Sequence, residues 1–154
     1  DGIRDTSVTG VQTCALPIFD ALLALADIRW GNDEVFVERS RRLKMWDKAP
    51  VPGLYQIEGS ETITSLDGQL DKHSLRASWI VYHRGGKDQG ATPAETSNAI
   101  LDAIGSAFRP ALPGARQTLG GLAYRAFIDG TIHKDNGDLD GQAMLIVPIT
   151  VILP

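Results

Sequence analysis

The segment Thr92–Glu95, TPAE, constrains the fold more than any other feature, because it fixes the start of a helix in the middle of the chain. Its threonine can cap the helix, its proline suits the first helical position, and its glutamate can complete a capping box. Pro110 and Pro113 forbid a longer helix. The sequence therefore predicts a helix over Pro93–Phe108. Its apolar side carries Ser97, Ile100, Leu101, Ile104 and Phe108.

Segments typical of β-strands lie on both sides of this helix. The predicted strands are Glu34–Arg42, Gly53–Glu58 and Leu75–Tyr82 before it, and Leu122–His133 (bent near Gly130) and Gln142–Leu153 after it. The last two are joined by a predicted hairpin turn at Lys134–Asp140, and a first helix is predicted over Phe19–Arg29. The order α-β-β-β-α-β-β predicts a single α+β domain with a largely antiparallel sheet flanked by helices.

Two segments are left outside these elements. Lys44–Pro52 reads as a loop that carries Trp46 and ends in two nearby prolines. Gly59–Lys72 is polar and is predicted to be a mobile hairpin arm or loop between two strands. Neither segment has an evident role in the core of a small domain.

Residues 1–18 differ in character from the remainder of the chain. Val8–Ile18, VTGVQTCALPI, resembles one reading frame of a widely used DNA-sequencing adapter, and Asp1–Asp5 resembles the upstream arm of that adapter in the same frame. We therefore expect residues 1–18 to be a non-native segment that adds little to the core, and the natural domain to start, already shortened, near Phe19. The only cysteine, Cys14, lies in this segment, so thiol chemistry is not expected of residues 19–154.

Composition excludes several classes of protein. The formal net charge is −4 for the whole chain, and −3 once the two acidic residues and the one basic residue of positions 1–18 are set aside. Mild acidity argues against specific nucleic-acid binding, which usually needs a basic face. No apolar run reaches the length of about 18 residues that a membrane helix needs. We therefore expect neither a membrane nor a specific nucleic acid as a partner.

No catalytic or metal-binding pattern emerges from the side chains. Asp135–Gly141, DNGDLDG, resembles the start of a calcium loop, but the position that should hold a bidentate glutamate is Val147. The histidines His73, His83 and His133 have no ligand spacing and are expected to be exposed at strand ends. We predict that the protein is not an enzyme and uses no metal or cofactor.

A basic run suggests contact with another molecule. Arg39, Arg41, Arg42 and Lys44 precede Trp46, so this segment could touch phosphate or an acidic partner, or could be a solvated strand edge. Arginine and tryptophan are enriched in protein interfaces, so the neighbouring Trp46 puts the contact with a partner on an equal footing with the solvated strand edge.

The order of the segments and their amino-acid sequences resemble those of the tail terminator (tail completion) proteins of long-tailed bacteriophages. The resemblance covers nearly all of Phe19–Pro154, and it is weakest over Lys44–Pro52 and Gly59–Lys72. It is carried by the opening helix FDALLALA, by Ser40–Trp46 (SRRLKMW) with Pro50–Glu58 (PVPGLYQIE), by Leu75–Tyr82, by Thr118–Tyr124 (TLGGLAY) with Ile128–Gly130, and by Pro148–Pro154 (PITVILP). The patterns are diffuse, and none of them is catalytic.

This resemblance implies a structural virion protein, assembled in the bacterial cytoplasm, that caps the tail tube, ends its polymerisation and joins tail to head. The implied partners are further copies in a ring, usually hexameric, the tail tube protein and a head–tail connector protein. Candidate interface residues are those without an expected core role: Arg41, Arg42, Trp46 and Tyr55, together with Gly59–Lys72. The alternatives are a head–tail connector or minor tail protein, or, in another class, a small ligand-binding or enzymatic α+β domain.

One prediction concerns the acidic turn. Because its last ligand position is apolar, we expect calcium titration to leave the melting temperature of the protein unchanged. Differential scanning fluorimetry with calcium and with magnesium as the control measures this. A rise specific to calcium would contradict the prediction and restore Asp138 and Asp140 as ligands.

Overall fold

A computed structural model describes residues 10–84, 93–110, 112–135 and 142–154 of the chain. Its elements, in chain order, are helix α1 (Gly10–Ala24), strands β1 (Arg29–Trp30), β2 (Asp33–Glu34) and β3 (Glu38–Ser40), a 3-10 turn (Trp46–Lys48), strands β4 (Gly53–Thr64) and β5 (Lys72–Arg84), helix α2 (Pro93–Ala107), and strands β6 (Arg125–Ile128), β7 (His133–Asp135) and β8 (Gln142–Ile152). The predicted α+β class with a largely antiparallel sheet is confirmed.

The main sheet has the order β3-β4-β5-β8-β6, and β7 also pairs with β8. All its pairs are antiparallel except β3–β4, which is parallel. The three long strands β4, β5 and β8 form its centre. Strands β1 and β2 form a separate small ribbon.

Both helices pack on one face of this sheet, the face that carries Trp79. The Trp79 ring lies 5.2 Å from the Phe108 ring at the end of α2. Its indole Nε1 donates to Gln56 Oε1 (2.9 Å), and Gln56 Nε2 donates to the Phe19 carbonyl of α1 (2.9 Å). The apolar residues between the helices and the sheet form the core, which includes Leu22, Leu54, Val81, Ile100, Ile104, Leu145, Val147 and Ile149.

Helix α1 differs from the prediction at both ends. It begins at Gly10, nine residues before Phe19, and it ends at Ala24 rather than Arg29. Ile18 is only 2% exposed and belongs to the core, so the expectation that residues 1–18 add little to the core is wrong at this position. After Ala24 the amides of Leu25, Ala26 and Asp27 donate to carbonyls three residues back, which tightens the chain into a turn. Arg29–Trp30 and Asp33–Glu34 then pair across a turn in which Gly31 has φ 67°.

The predicted strand Glu34–Arg42 is interrupted. Val35 and Phe36 are both buried although they are neighbours, whereas Val37 is exposed. The amide groups of Val35 and Val37 donate to the carbonyls of Ile28 and Pro52, outside any strand ladder. The expected alternation therefore fails because this segment fills a corner of the core before β3 begins at Glu38.

The predicted strand Leu122–His133 is also divided, and Pro148 explains the division. The Pro148 carbonyl accepts from the Asp129 amide (3.0 Å), so the backbone of Pro148 faces β6 and β7 on that side of β8. Proline has no N–H to continue the ladder there. The chain accordingly leaves β8 between β6 and β7, and Gly130 makes the bend with φ 125°. A bend near Gly130 is thus confirmed.

The remaining predicted elements are confirmed with different bounds. Strand β5 extends Leu75–Tyr82 in both directions, and α2 ends at Ala107, one residue short of the prediction. Gly59–Lys72 is a hairpin arm: β4 continues to Thr64 and pairs with Lys72 of β5. The capping residue Thr92 and the turn Asn136-Gly137 lie outside the described residues.

A matched pair of glycine substitutions tests the bend at Gly130. An alanine there would adopt a positive φ and would place its Cβ 3.2 Å from Pro148 Cγ, so we expect Gly130→Ala to lower the free energy of unfolding by about 1–3 kcal/mol. Gly105→Ala is the control, because this site lies inside α2 with no atom within 4 Å of an added Cβ, and there we expect a gain of about 0.5–1 kcal/mol. Urea denaturation measures both, and equal effects of the two substitutions would contradict this account of the bend.

Candidate functional site

Tyr55, one of the four predicted interface residues, is completely buried. The start of β4 is covered on both faces, by the helices on one and by the Lys44–Pro52 loop on the other. Tyr55 Oη donates to Glu38 Oε1 (2.8 Å), and burial together with the Glu38 carboxylate raises the pKa of Tyr55. Tyr55 therefore has no surface of its own to offer a partner, and its role within the chain is to anchor β3 to β4.

Trp46 holds the loop to the sheet. Its ring meets the Tyr82 ring edge-on, with centroids 5.3 Å apart, and Tyr82 lies 5.5 Å from Tyr55. Tyr82 Oη donates to the Lys44 carbonyl (2.9 Å). The three rings form one aromatic cluster, and Trp46 is its half-exposed member. Trp46 is therefore used partly inside the molecule, and its side chain is only partly exposed.

Arg41 is occupied by partners within the chain. Its guanidinium binds the Glu58 carboxylate through Nε (2.8 Å) and through Nη2, and it binds Asp20 Oδ1 through Nη1 (2.8 Å). The hydrogen bond to Glu58 is the main cause that raises the pKa of Arg41. The guanidinium also lies 5.8 Å from the centre of the Phe19 ring. Arg41 thus connects β4 to α1.

Arg42 is the one residue of the four that is both exposed and unpaired. No carboxylate lies within ion-pair distance of its side chain in the described part of the chain. Its backbone amide donates to Ser40 Oγ (3.0 Å). Of the four predicted interface residues, Arg42 is therefore the best placed to bind an acidic partner.

The face of the sheet opposite the helices is apolar and only partly covered. Cross-strand pairing places Tyr55, Ile80 and Ile146 in one row, and Ile57, Ser78 and Pro148 in the next. Tyr55 is buried by the loop, but Ile57, Ile80, Ile146 and Pro148 remain partly exposed. We call these four residues the open face. A sheet face of this composition normally packs on a second layer.

A small cavity opens where the aromatic cluster meets β8. Its volume is about 150 Å³, and Trp46, Tyr82, Asp135, Ala143 and Met144 line it. Pockets that bind drug-sized ligands are larger, about 300–1,000 Å³. The cavity can accept a side chain or a few water molecules.

The hairpin arm, Gly59–Lys72, is exposed along its whole length. Ile63, Leu66 and Leu70 are its large apolar residues, and Leu70 is 96% exposed. Strand β3 pairs only with Gly53–Tyr55, so no described strand covers the outer edge of β4 along the arm. The sequence predicted the arm but not its apolar tip, because its composition reads as polar.

A surface that the sequence analysis did not single out lies around the start of β6. We call Phe108–Ile128 the arginine segment, because it contains three arginines and no aspartate or glutamate. Leu112, Leu122 and Tyr124 are exposed within it. The guanidinium of Arg116 lies over the Tyr124 ring (4.2 Å), and that of Arg125 lies over the Phe127 ring (4.3 Å). The absence of aspartate and glutamate over Phe108–Ile128 is the feature of the sequence that could have indicated this surface.

A tight turn presents the arginine segment. The Thr118 carbonyl accepts from the amides of both Gly121 (3.1 Å) and Ala123 (3.0 Å). Gly120 and Gly121 adopt φ of 71° and 92°, which explains why two glycines stand here. Ala123 is buried, while Leu122 and Tyr124 on either side of it point outward. The TLGG motif thus orients the exposed side chains that precede β6.

The histidines have structural positions. His83, expected at an exposed strand end, is completely buried, and its Nε2 lies 3.0 Å from Ser97 Oγ of α2. Burial lowers the pKa of His83. His73 Nδ1 lies 2.8 Å from Glu61 Oε2 on the arm, and His133 is exposed. Among the described residues, no three His, Cys, Asp or Glu side chains converge as metal ligands.

Comparison with protein-family models finds no match, and no curated protein matches this chain significantly. Neither described helix has the length and apolar character needed to cross a membrane.

The neighbouring arginines Arg41 and Arg42 give a matched test of these assignments. We expect Arg41→Ala to lower the free energy of unfolding by about 1–3 kcal/mol, because it removes charged hydrogen bonds that join β4 to α1. We expect Arg42→Ala to change it by no more than about 0.5 kcal/mol, as at other exposed sites. Chemical denaturation checks both, and a loss at Arg42 as large as at Arg41 would show that Arg42 has a partner within the chain.

Proposed function

We propose that residues 19–154 form a phage tail terminator, a structural protein that caps the tail tube, ends its polymerisation and joins the tail to the head. The proposal starts from the resemblance of the chain to that family. The observation that supports the proposal beyond this resemblance is the distribution of exposed apolar side chains. One sheet face is closed by helices, while the open face, the arm tip and the arginine segment all expose apolar side chains. Large exposed apolar surface marks sites of protein contact.

This distribution suits a capping protein. A cap needs surfaces for its own copies and for the end of the tube, and it needs no reaction centre. The arm and the arginine segment lie at the lateral sides of the sheet, where neighbouring copies in a ring would meet. The open face and Arg42 remain for the tube or for the connector on the head side. Copies in a ring are joined by heterologous contacts.

A head–tail connector or minor tail protein is the alternative from the same machinery, since it too would need several protein contacts. A small ligand-binding domain is the alternative from another class. The cavity beside Trp46 is the feature that would favour it, but its volume of about 150 Å³ is below the range of drug-sized ligand sites.

Tube growth in vitro tests the proposal. Purified tail tube protein is allowed to polymerise with and without the protein, and tube length and tube ends are measured by electron microscopy. We expect substoichiometric amounts of the protein to stop elongation and to appear as density at one tube end. Unchanged tube lengths, with no protein at the ends, would overturn the terminator function. Binding to the head-side connector without any effect on elongation would support the connector alternative.

A charge reversal at Arg42 tests its part in capping. We expect Arg42→Glu to raise the concentration needed to arrest growth about tenfold or more, because a bidentate contact to a carboxylate becomes a repulsion. Arg84→Glu is the control: it makes the same charge change at another exposed arginine without an ion pair among the described residues. Equal arrest by the Arg42→Glu variant and the parent would remove Arg42 from the tube contact.

A further inference from the structure

We propose that the hairpin arm of one copy docks on the arginine segment of the next copy, and that this contact joins the subunits. This contact would lie between copies of the proposed tail terminator, and the closure of the copies into a ring rests on that proposed function. It commits to a second copy of this chain as the occupant of both surfaces.

Each surface exposes apolar groups that the single chain does not cover. On the arm these are Ile63, Leu66 and Leu70. On the arginine segment they are Leu112, Leu122 and Tyr124, and Leu112 is 70% exposed. Contact between the two surfaces would remove both sets from water, and such burial is the main driving force of protein association.

The charges of the two surfaces are opposite. The arm, Gly59–Lys72, contains three acids and one basic residue, Lys72, while the arginine segment contains three arginines and no acid. Asp67 and Asp71 have no ion-pair partner in the described ranges, and neither have Arg116 and Arg125. A second copy would supply partners for both sets. Opposite charge on two surfaces also sets their orientation and disfavours contact between two arms.

The register of the sheet puts Thr62 of the arm level with Arg125 of the arginine segment on the opposite side of the sheet. Thr62 pairs with Ser74, Ser74 with Ile152, and Ile152 with Arg125, so one row runs from the β4 side of the arm to the first residue of β6. This row crosses three strand spacings, about 14 Å. A rotation about an axis parallel to the strands does not move residues along the strand direction. Such a rotation can therefore bring the arm of each copy to the arginine segment of its neighbour.

The contact is heterologous, because it joins two different surfaces. A heterologous contact leaves one arm and one arginine segment free in any open chain of copies, and the two free surfaces are satisfied only when a ring closes. The described residues thus contain both halves of a ring contact, without any need for a second protein.

Reciprocal charge reversal tests the contact. The first variant carries Asp67→Lys and Asp71→Lys in the arm, and the second carries Arg116→Glu and Arg125→Glu in the arginine segment. In each variant both surfaces have the same sign, and we expect its self-association to weaken at least about 100-fold. In an equimolar mixture every arm again faces a surface of opposite sign, so assembly should return with the two variants in equal amounts. Sedimentation velocity and native mass spectrometry measure the assemblies.

Two controls keep the result specific. Asp47→Lys with Asp102→Lys makes the same charge change as the arm variant at exposed sites outside both surfaces, and it should associate like the parent. Thermal melting followed by circular dichroism checks that each variant is folded. Leu70→Ser gives a second test without a change of charge. It replaces the most exposed apolar residue of the arm, and it should also weaken association.

The outcomes separate the contact from the function. Assembly of either reversed variant as strong as that of the parent, failure of the mixture to assemble, or a parent that stays monomeric with and without tail tubes overturns the contact. If the mixture assembles while the parent fails to arrest tube growth, the contact stands and the terminator function falls.

Discussion

The hydrogen-bonded link Trp79–Gln56–Phe19 is the interaction on which the architecture most depends. Gln56 accepts from the indole of β5 and donates to a carbonyl of α1, with its own side chain completely buried between them. Removing it would leave an indole N–H unpaired in the core, at a cost of about 1–3 kcal/mol. The link therefore fixes α1 against one point of the sheet, and Arg41, which joins the same helix to β4 from outside, fixes its orientation.

Because both helices lie on the Trp79 face, the opposite side of the molecule is left for contacts. The aromatic cluster of Tyr55, Tyr82 and Trp46 closes one end of that side and leaves the open face beyond it. Charge is divided laterally, with acids on the arm and arginines around β6. A chain with a formal net charge of only −4 thus has two surfaces of opposite sign. The net charge of the chain does not reveal this division of charge. The division, rather than the net charge, is what points to a second copy as the partner.

The sequence predicted those elements whose signals are local. Helix α2, strands β5 and β8 and the arm follow from caps, prolines and alternation within a few residues. The division at Asp129–Ile132 depends on Pro148 of another strand, and the burial of Tyr55 depends on a loop folding over β4. Such tertiary effects leave no local pattern. The expectation that Tyr55 lacked a core role failed for this reason. Arg41 lies outside the core, as expected, but it is occupied by Glu58 and Asp20.

The division of the strand beside β8 has a consequence for how copies can meet. Strands β6 and β7 have only four and three residues, and the chain turns away from β8 between them. Short, interrupted edges are poor templates for the addition of another strand. The sheet of one copy therefore has no long edge at β6 and β7 on which the open β4 edge of another could continue. Contacts that copies make at β6 and β7 are therefore made by side chains, and this edge of the proposed tail terminator offers no site from which a fibre could start.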